Sequence, residues 1–355
     1  MRSIFYFTSD YADMEDLKQI DGVDIFTLKE TAEATSYDFT PKTFEDYLGQ
    51  DELKSKLKVY TQAAKMRQEA LDHLLLFGPP GLGKTTLANI MAHIMEVGIK
   101  ICSGPMMERT GDLVAILSGL EKHDILFIDE IHRMPSAVEE ILYSAMENFR
   151  VDVVIGQGAG AQSINLPIHP FTLVGATTKT GMISAPLRSR FGIIERLNFY
   201  SHKDLSSIIM QSAQFLNFPI DKDAALLIAS CARGTPRIAK KIVRRVRDFA
   251  QVDNKDTINK ALVTQALGFL GIDSEGLCKV DHMLLKTIVI EFAGGPVGLE
   301  TLASMLGEEK QTIEEVYEPF LMRKGYLERT PRGRQIPHTK LPLLKQKFLG
   351  QKNLL

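Results

Sequence analysis

Eight consecutive residues, Gly78-Pro79-Pro80-Gly81-Leu82-Gly83-Lys84-Thr85, match the spacing G-x-x-x-x-G-K-[ST]. Glycines at these places let the backbone curl until its N–H groups converge on phosphate oxygens. Lys84 is then placed to reach the β- and γ-phosphates, and the Thr85 hydroxyl to ligate Mg2+. A second pair, Asp129-Glu130, supplies the other half of the chemistry. Asp129 would hold Mg2+, directly or through water, and Glu130 would activate the attacking water as general base. Thr178 is placed to hydrogen-bond the γ-phosphate or the water. Arg188 and Arg190 are candidates for a finger that stabilises transition-state charge, and spacing alone does not choose between them. Arg237, in the first turn after Pro236, is a further candidate ligand. These groups describe a binder of nucleoside triphosphate, and two adjacent acids argue for its hydrolysis.

Such groups work only if the chain positions them. The apolar run Leu74-Leu75-Leu76-Phe77 reads as a buried strand, and the residues after Thr85 have helical spacing, so the loop aims at a helix N-terminus. Asp124–Glu130 is an apolar strand ending in acids, and Phe171–Thr178 one ending in hydroxyls. In a parallel sheet their C-terminal ends lie side by side over the nucleotide. A further strand is read near Ile99–Ile101. Upstream, Pro41 opens a short element and Gly49 breaks it before a helix of about 20 residues ending near His73. That segment is positioned to wrap the adenine end. Val151, Val153 and Ile155 alternate with polar residues, glycines follow at 156, 158 and 160, and Ile164 and Leu166 resume the alternation. This is a β-hairpin signature, for a partner, for threaded substrate or for structure alone.

A chain of 355 residues, 45% hydrophobic and 24% charged, has material for two or three domains. The net charge of −2 gives no global attraction to nucleic acid, so any such site must be local. Cys102, Cys231 and Cys278 suggest neither disulfides nor a zinc site. Neither a membrane span nor a signal peptide is read, so the cytoplasm is expected. Residues 1–35 form an acidic extension without a motif, expected to be partly ordered. The large domain is expected over 36–200, with its hairpin at about 151–166. An all-α domain is expected over 201–275, where Arg237, Lys240, Lys241, Arg244 and Arg247 share a basic helix. The last domain, 276–345, reads as helices at Met283–Phe292, Leu299–Leu306 and Thr312–Lys324 followed by two strands around Thr330-Pro331-Arg332-Gly333-Arg334, leaving a tail at 346–355. Three helices and a two-stranded wing make a winged helix. Arg329, Arg332 and Arg334 at its tip suit phosphates better than base edges. A protein-binding winged helix is the alternative.

From about Pro41 to Arg334 the sequence resembles the RuvB family of AAA+ motors, which drive Holliday-junction branch migration. The phosphate loop and Ile125–Arg133 are shared by many ATPases. Gly294-Gly295-Pro296-Val297-Gly298-Leu299-Glu300 and Thr330–Arg334 are much more specific. The resemblance implies an α/β P-loop AAA+ core, a parallel sheet with helices on both faces, then a small all-α lid and a winged-helix domain. It implies ATP and Mg2+ as cofactors and a homohexameric ring around duplex DNA. Its partners would be RuvA and, in the junction complex, the RuvC resolvase, in recombination and repair. By resemblance Arg190, rather than Arg188, is the finger supplied in trans, Thr178 the first sensor and Arg237 the second. Phe39, Thr40, Tyr47, Leu48, Gly81, Gly83, Thr86, Glu147, Asn148, Phe149 and Tyr200 would line the nucleotide pocket, and Arg329 and Arg334 would contact DNA. The hairpin, through Ile155 and Ile164, would dock on RuvA. Two departures stand out: Thr40 occupies the place of a usual arginine, and the hairpin tip, Gly158-Ala159-Gly160-Ala161-Gln162, lacks one. A clamp-loader-like or remodelling switch shares the ATPase residues but needs no basic wing.

Overall fold

The computed structural model describes residues 39–155 and 162–349. The extension 1–35, the hairpin-tip residues 158–161 and the last residues of the expected tail lie outside them. Five strands, β1 (Leu74–Phe77), β2 (Ile99–Ser103), β3 (Ile125–Asp129), β6 (Thr172–Thr177) and β7 (Ile193–Arg196), form a parallel sheet in the order β2-β3-β6-β1-β7. Between β3 and β6, β4 (Arg150–Ile155) and β5 (Gln162–Pro167) make a separate antiparallel hairpin. The central strands are continuous apolar runs because both faces are covered. Leu74, Leu76, Ile125, Phe127 and Val174 face one core, while Leu75, Leu126, Ile128 and Leu173 face another. That division is the two-residue period of a strand. Helices α1 (Asp51–Arg67), α2 (Lys84–Met95), α3 (Thr110–Ser118), α4 (Ser136–Asn148) and α5 (Ala185–Ser189) complete the large domain.

The register brings several of the expected site residues to one edge of the sheet. Phe77 pairs with Thr177, and Ile128 with Gly175, so β1, β3 and β6 end at one edge of the sheet. The phosphate loop, Glu130 and Thr178 all follow from that edge. α1 stops at Arg67, short of the His73 expected from spacing. Gln68 adopts a left-handed cap whose N–H reaches the carbonyls of Ala64 and Lys65, and Leu71 is buried from the following loop.

The lid is all-α as expected: α6 (His202–Phe215), α7 (Lys222–Cys231), α8 (Pro236–Val252) and α9 (Lys260–Phe269). The last domain has α10 (Lys279–Ile290), α11 (Leu299–Leu306), α12 (Lys310–Thr312), a π turn (Ile313–Tyr317), α13 (Glu318–Arg323), the wing strands β8 (Glu328–Thr330) and β9 (Gly333–Gln335), and α14 (Leu341–Leu349). The third helix, expected unbroken, is interrupted by the π turn because Pro319 has no N–H to give the Glu315 carbonyl. α14 crosses the boundary expected at 345 and buries Leu344 and Phe348. The two family-specific runs touch: Val297 and Arg334 exchange backbone hydrogen bonds at 2.8 Å. A Cβ at Gly295 would lie 2.7 Å from the Arg334 carbonyl, so only glycine lets the chain pass there.

Candidate active site at the phosphate loop

No side chain caps α2, whose N-terminus is opened by Gly83 in a left-handed conformation, so its first N–H groups face the loop. Lys84 is buried and donates to the carbonyls of Gly78 at 2.8 Å and Pro79 at 3.1 Å. Burial lowers its pKa, the carboxylates of Asp129 and Glu130 oppose that shift, and Arg237 adds to it. Asp129, Glu130 and Arg237 therefore all lie close enough to act on the Lys84 charge. Arg237 belongs to the lid, yet its backbone N–H reaches the Gly81 carbonyl at 3.4 Å. A Cβ on Gly81 would come within 2.9 Å of the Arg237 Cβ. Thr85 and Thr86 sit half-buried in the first turn of α2. The loop and Arg237 border a cleft of about 320 Å3 that also meets Thr312 and Phe320 of the last domain.

The acids are held by the neighbouring strand. Thr178 donates its hydroxyl to Glu130 Oε2 at 3.2 Å and its backbone N–H at 3.3 Å. His132 Nδ1 lies 3.2 Å from the same oxygen and 2.8 Å from Thr177 Oγ1. Neither His132 nor Thr177 was expected at the site; the run Asp129-Glu130-Ile131-His132 was the available signal. Thr85, with its hydroxyl, and Asp129, with its carboxylate, form the hard oxygen set that suits Mg2+ beside nucleotide phosphates.

Tyr47 and Tyr200 support the loop through its Leu82 carbonyl. Tyr47 donates to the Leu82 carbonyl at 3.0 Å, and Tyr200 donates to the Tyr47 hydroxyl at 2.8 Å. Burial pushes the Tyr200 phenol up to about 12, so it remains a donor. Leu48 packs on the adjoining core. The Phe39 carbonyl accepts from Lys240 at 2.7 Å and its ring stands edge-on to Phe215, so this segment, with exposed Thr40, joins the lid.

Three expected pocket residues are elsewhere in this chain. Glu147 pairs with Arg190 at 3.0 Å, Asn148 is exposed, and Phe149 packs edge-on against Phe171. The cause is the direction of α4, which leaves the C-terminal edge of the sheet and ends beside the residues that precede β6. Arg190 also donates to the Pro186 carbonyl at 2.7 Å and lies 4.6 Å over the Tyr143 ring. Leu74 pairs with Ile193, so Arg190 sits at the start of β1 while the phosphate loop follows its end. A four-residue strand separates them, about 13 Å of rise. This arginine cannot serve its own loop.

The wing departs from a patch of three presented cations. Glu318, fully buried, accepts from Arg329 Nε at 2.6 Å and Arg334 Nε at 2.6 Å, and Glu314 meets Arg334 at 3.1 Å. Of the three, Arg329 and Arg332 are exposed, Arg329 while paired with Glu318, and Arg334 is held against the domain. In the hairpin, Ile164 is exposed, and Ile155 pairs with Gln162 at the last described rung.

A parallel sheet with a phosphate loop, an acid pair and a threonine at the ends of adjoining strands, and a lid arginine reaching back to the loop defines a P-loop ATPase of the AAA+ class. Residues 39–197 match the Holliday junction DNA helicase RuvB P-loop domain, 200–273 the RuvB AAA lid domain, and 274–345 the RuvB C-terminal winged helix domain. The Holliday junction branch migration complex subunit RuvB of Pediococcus pentosaceus is 54% identical over 296 residues, 83% of this chain and 88% of that protein. The structure of the Thermotoga maritima RuvB Holliday junction branch migration motor is similar with a TM-score of 0.78 and 49% identity, covering 86% of this chain and 98% of that one. A point mutant of the same Thermotoga protein matches with a TM-score of 0.79. The chain belongs to the RuvB family. Among the described residues no helix is long and apolar enough to cross a membrane.

Proposed function

We propose that this chain is the ATP-hydrolysing motor subunit that drives branch migration of Holliday junctions in homologous recombination and repair, in the cytoplasm. It works as a homohexameric ring on duplex DNA with RuvA, and with RuvC in the junction complex. The observation that carries this reading is the split of the catalytic set: Lys84, Asp129, Glu130, Thr178 and Arg237 gather at one edge of the sheet, and Arg190 lies at the other. A site completed only by a neighbour's arginine calls for a closed heterologous ring.

The chemistry follows from the placed groups. The loop N–H groups and Lys84 cradle the phosphates, and Glu130 takes the proton of the attacking water. Thr178 orients Glu130 until the γ-phosphate claims its hydroxyl. Mg2+ would be held by Thr85 and Asp129 and would supply charge neutralisation beside the phosphates. Arg190 enters the next subunit's pocket together with the Glu147–Phe149 turn, while Arg237 reports nucleotide from the lid. Residues 36–200, 201–275 and 276–345 act as motor, lid and DNA domain. Arg332, with Arg329 and Arg334, meets phosphates, and Ile155 and Ile164 meet RuvA.

Dissociation of a synthetic four-way junction, with ATP and Mg2+, with and without RuvA, tests the reading. Lys84→Ala and Glu130→Gln serve as controls. Separation into duplexes only with ATP and an intact Lys84 is expected; hydrolysis without junction movement would instead leave an assembly switch.

A further inference from the structure

The segment that follows β6, with Thr178 and Lys179, is in contact with the DNA-binding domain. Lys179, the next residue, has its backbone N–H on Thr177 Oγ1 at 3.0 Å and its Nζ 3.0 Å from a Glu315 carboxylate oxygen. Glu315 lies in the π turn Ile313–Tyr317, made by Pro319. The same turn carries Glu314, which meets Arg334, and the next residue after it is Glu318, which holds both Arg329 and Arg334. A continuous series of contacts therefore runs from the catalytic base through Thr178, Lys179 and Glu315 to the wing.

We propose that the Lys179–Glu315 ion pair carries the nucleotide state of the catalytic strand to the DNA-binding wing of the same subunit. The inference rests on the reading of the chain as a DNA-dependent motor. Two discrete arrangements exist at its origin, because the Thr178 hydroxyl has one proton to donate. It goes either to Glu130, as here, or to a γ-phosphate. Exchange of that bond moves the end of β6, and Lys179 with it. At the other end lies a π turn, an irregularity of winding that concentrates at functional sites. A half-exposed pair of this kind adds little to stability, so its effect is positional and its removal should leave the fold intact.

The test compares ATP turnover with and without duplex DNA for wild type, Glu315→Gln, Lys179→Glu and the exchanged pair Lys179→Glu/Glu315→Lys. Glu315→Gln is expected to keep basal turnover and melting temperature, while DNA stimulation falls roughly 2- to 30-fold, the range for residues along a coupling route. The exchanged pair should regain stimulation, a rescue that a purely structural role would not produce. Full stimulation in Glu315→Gln, or no recovery in the exchanged pair, overturns the coupling. Absence of DNA stimulation in the wild type itself would instead defeat the motor reading on which the inference rests.

Discussion

At the scale of single residues the site separates binding from chemistry. Glu130 touches Thr178 and His132 but no backbone of the phosphate loop among its described bonds, so Glu130→Gln should still bind ATP. Its turnover should fall about 10²- to 10⁴-fold, the usual contribution of a positioned base. Fluorescent-nucleotide affinity against steady-state hydrolysis checks this, and loss of affinity would make the acid a structural group. His73 gives the pH dependence. Its Nδ1 accepts from the Leu173 N–H at 2.9 Å and its Nε2 donates to the Met146 carbonyl at 3.1 Å, which only the neutral ring can do. Burial holds its pKa below the ordinary 6.5. The unfolded chain therefore binds the proton more readily, and stability falls as pH drops below about 6.5 toward the folded value. Calorimetric melting between about pH 7 and pH 5.5 should show this decline, flattened in His73→Gln. The groups legible in sequence were those with fixed spacing, such as Lys84 and Thr85. The Tyr47–Tyr200 hydroxyl pair was not legible as a loop support, because its acceptor, the Leu82 carbonyl, is brought to it only by folding.

At the scale of elements, what was readable depended on burial geometry. β1, β3 and β6 were plain because strands covered on both faces are uninterrupted apolar runs. The third helix of the last domain reads as unbroken in sequence because one missing N–H, at Pro319, changes winding without changing periodicity. The contacts that hold the lid to the last domain were invisible in sequence. There Arg233, at the end of the α7 turn, is buried in an ion pair with Asp281 and lies 4.7 Å over the Phe320 ring. Removing one member of a buried pair costs about 3–5 kcal/mol. Arg233→Met should show that loss in calorimetric stability; calorimetry suits a chain without tryptophan. Adding Asp281→Leu should recover part of it, since Asp281 also accepts from the Cys278 N–H at 2.8 Å. No recovery would mean that the pair is not what joins the two domains.

At the scale of the whole molecule the sheet itself separates the phosphate loop from Arg190, the proposed finger, and this sets the strongest test of assembly. Arg190→Ala should lower turnover about 10³- to 10⁵-fold while leaving each chain's own loop intact. Mixed with Lys84→Ala chains it should regain activity, since a complete loop then meets a complete finger at about a quarter of the junctions in random rings. Additive, unrecovered activity would place the finger in cis. The ring was readable only through family resemblance: spacing left Arg188 and Arg190 equivalent, and the resemblance alone chose Arg190. The hairpin has a consequence of another kind. β4 and β5 pair with each other and with no other described strand, and Val151 roots them in the core. A segment that supplies its own backbone partners can drift in sequence without disturbing its host. As the proposed docking surface, this hairpin is thus free to co-evolve with whatever it docks on, and residues 150–167 should transplant between distant relatives as a cassette, changing allegiance while the engine runs unaltered.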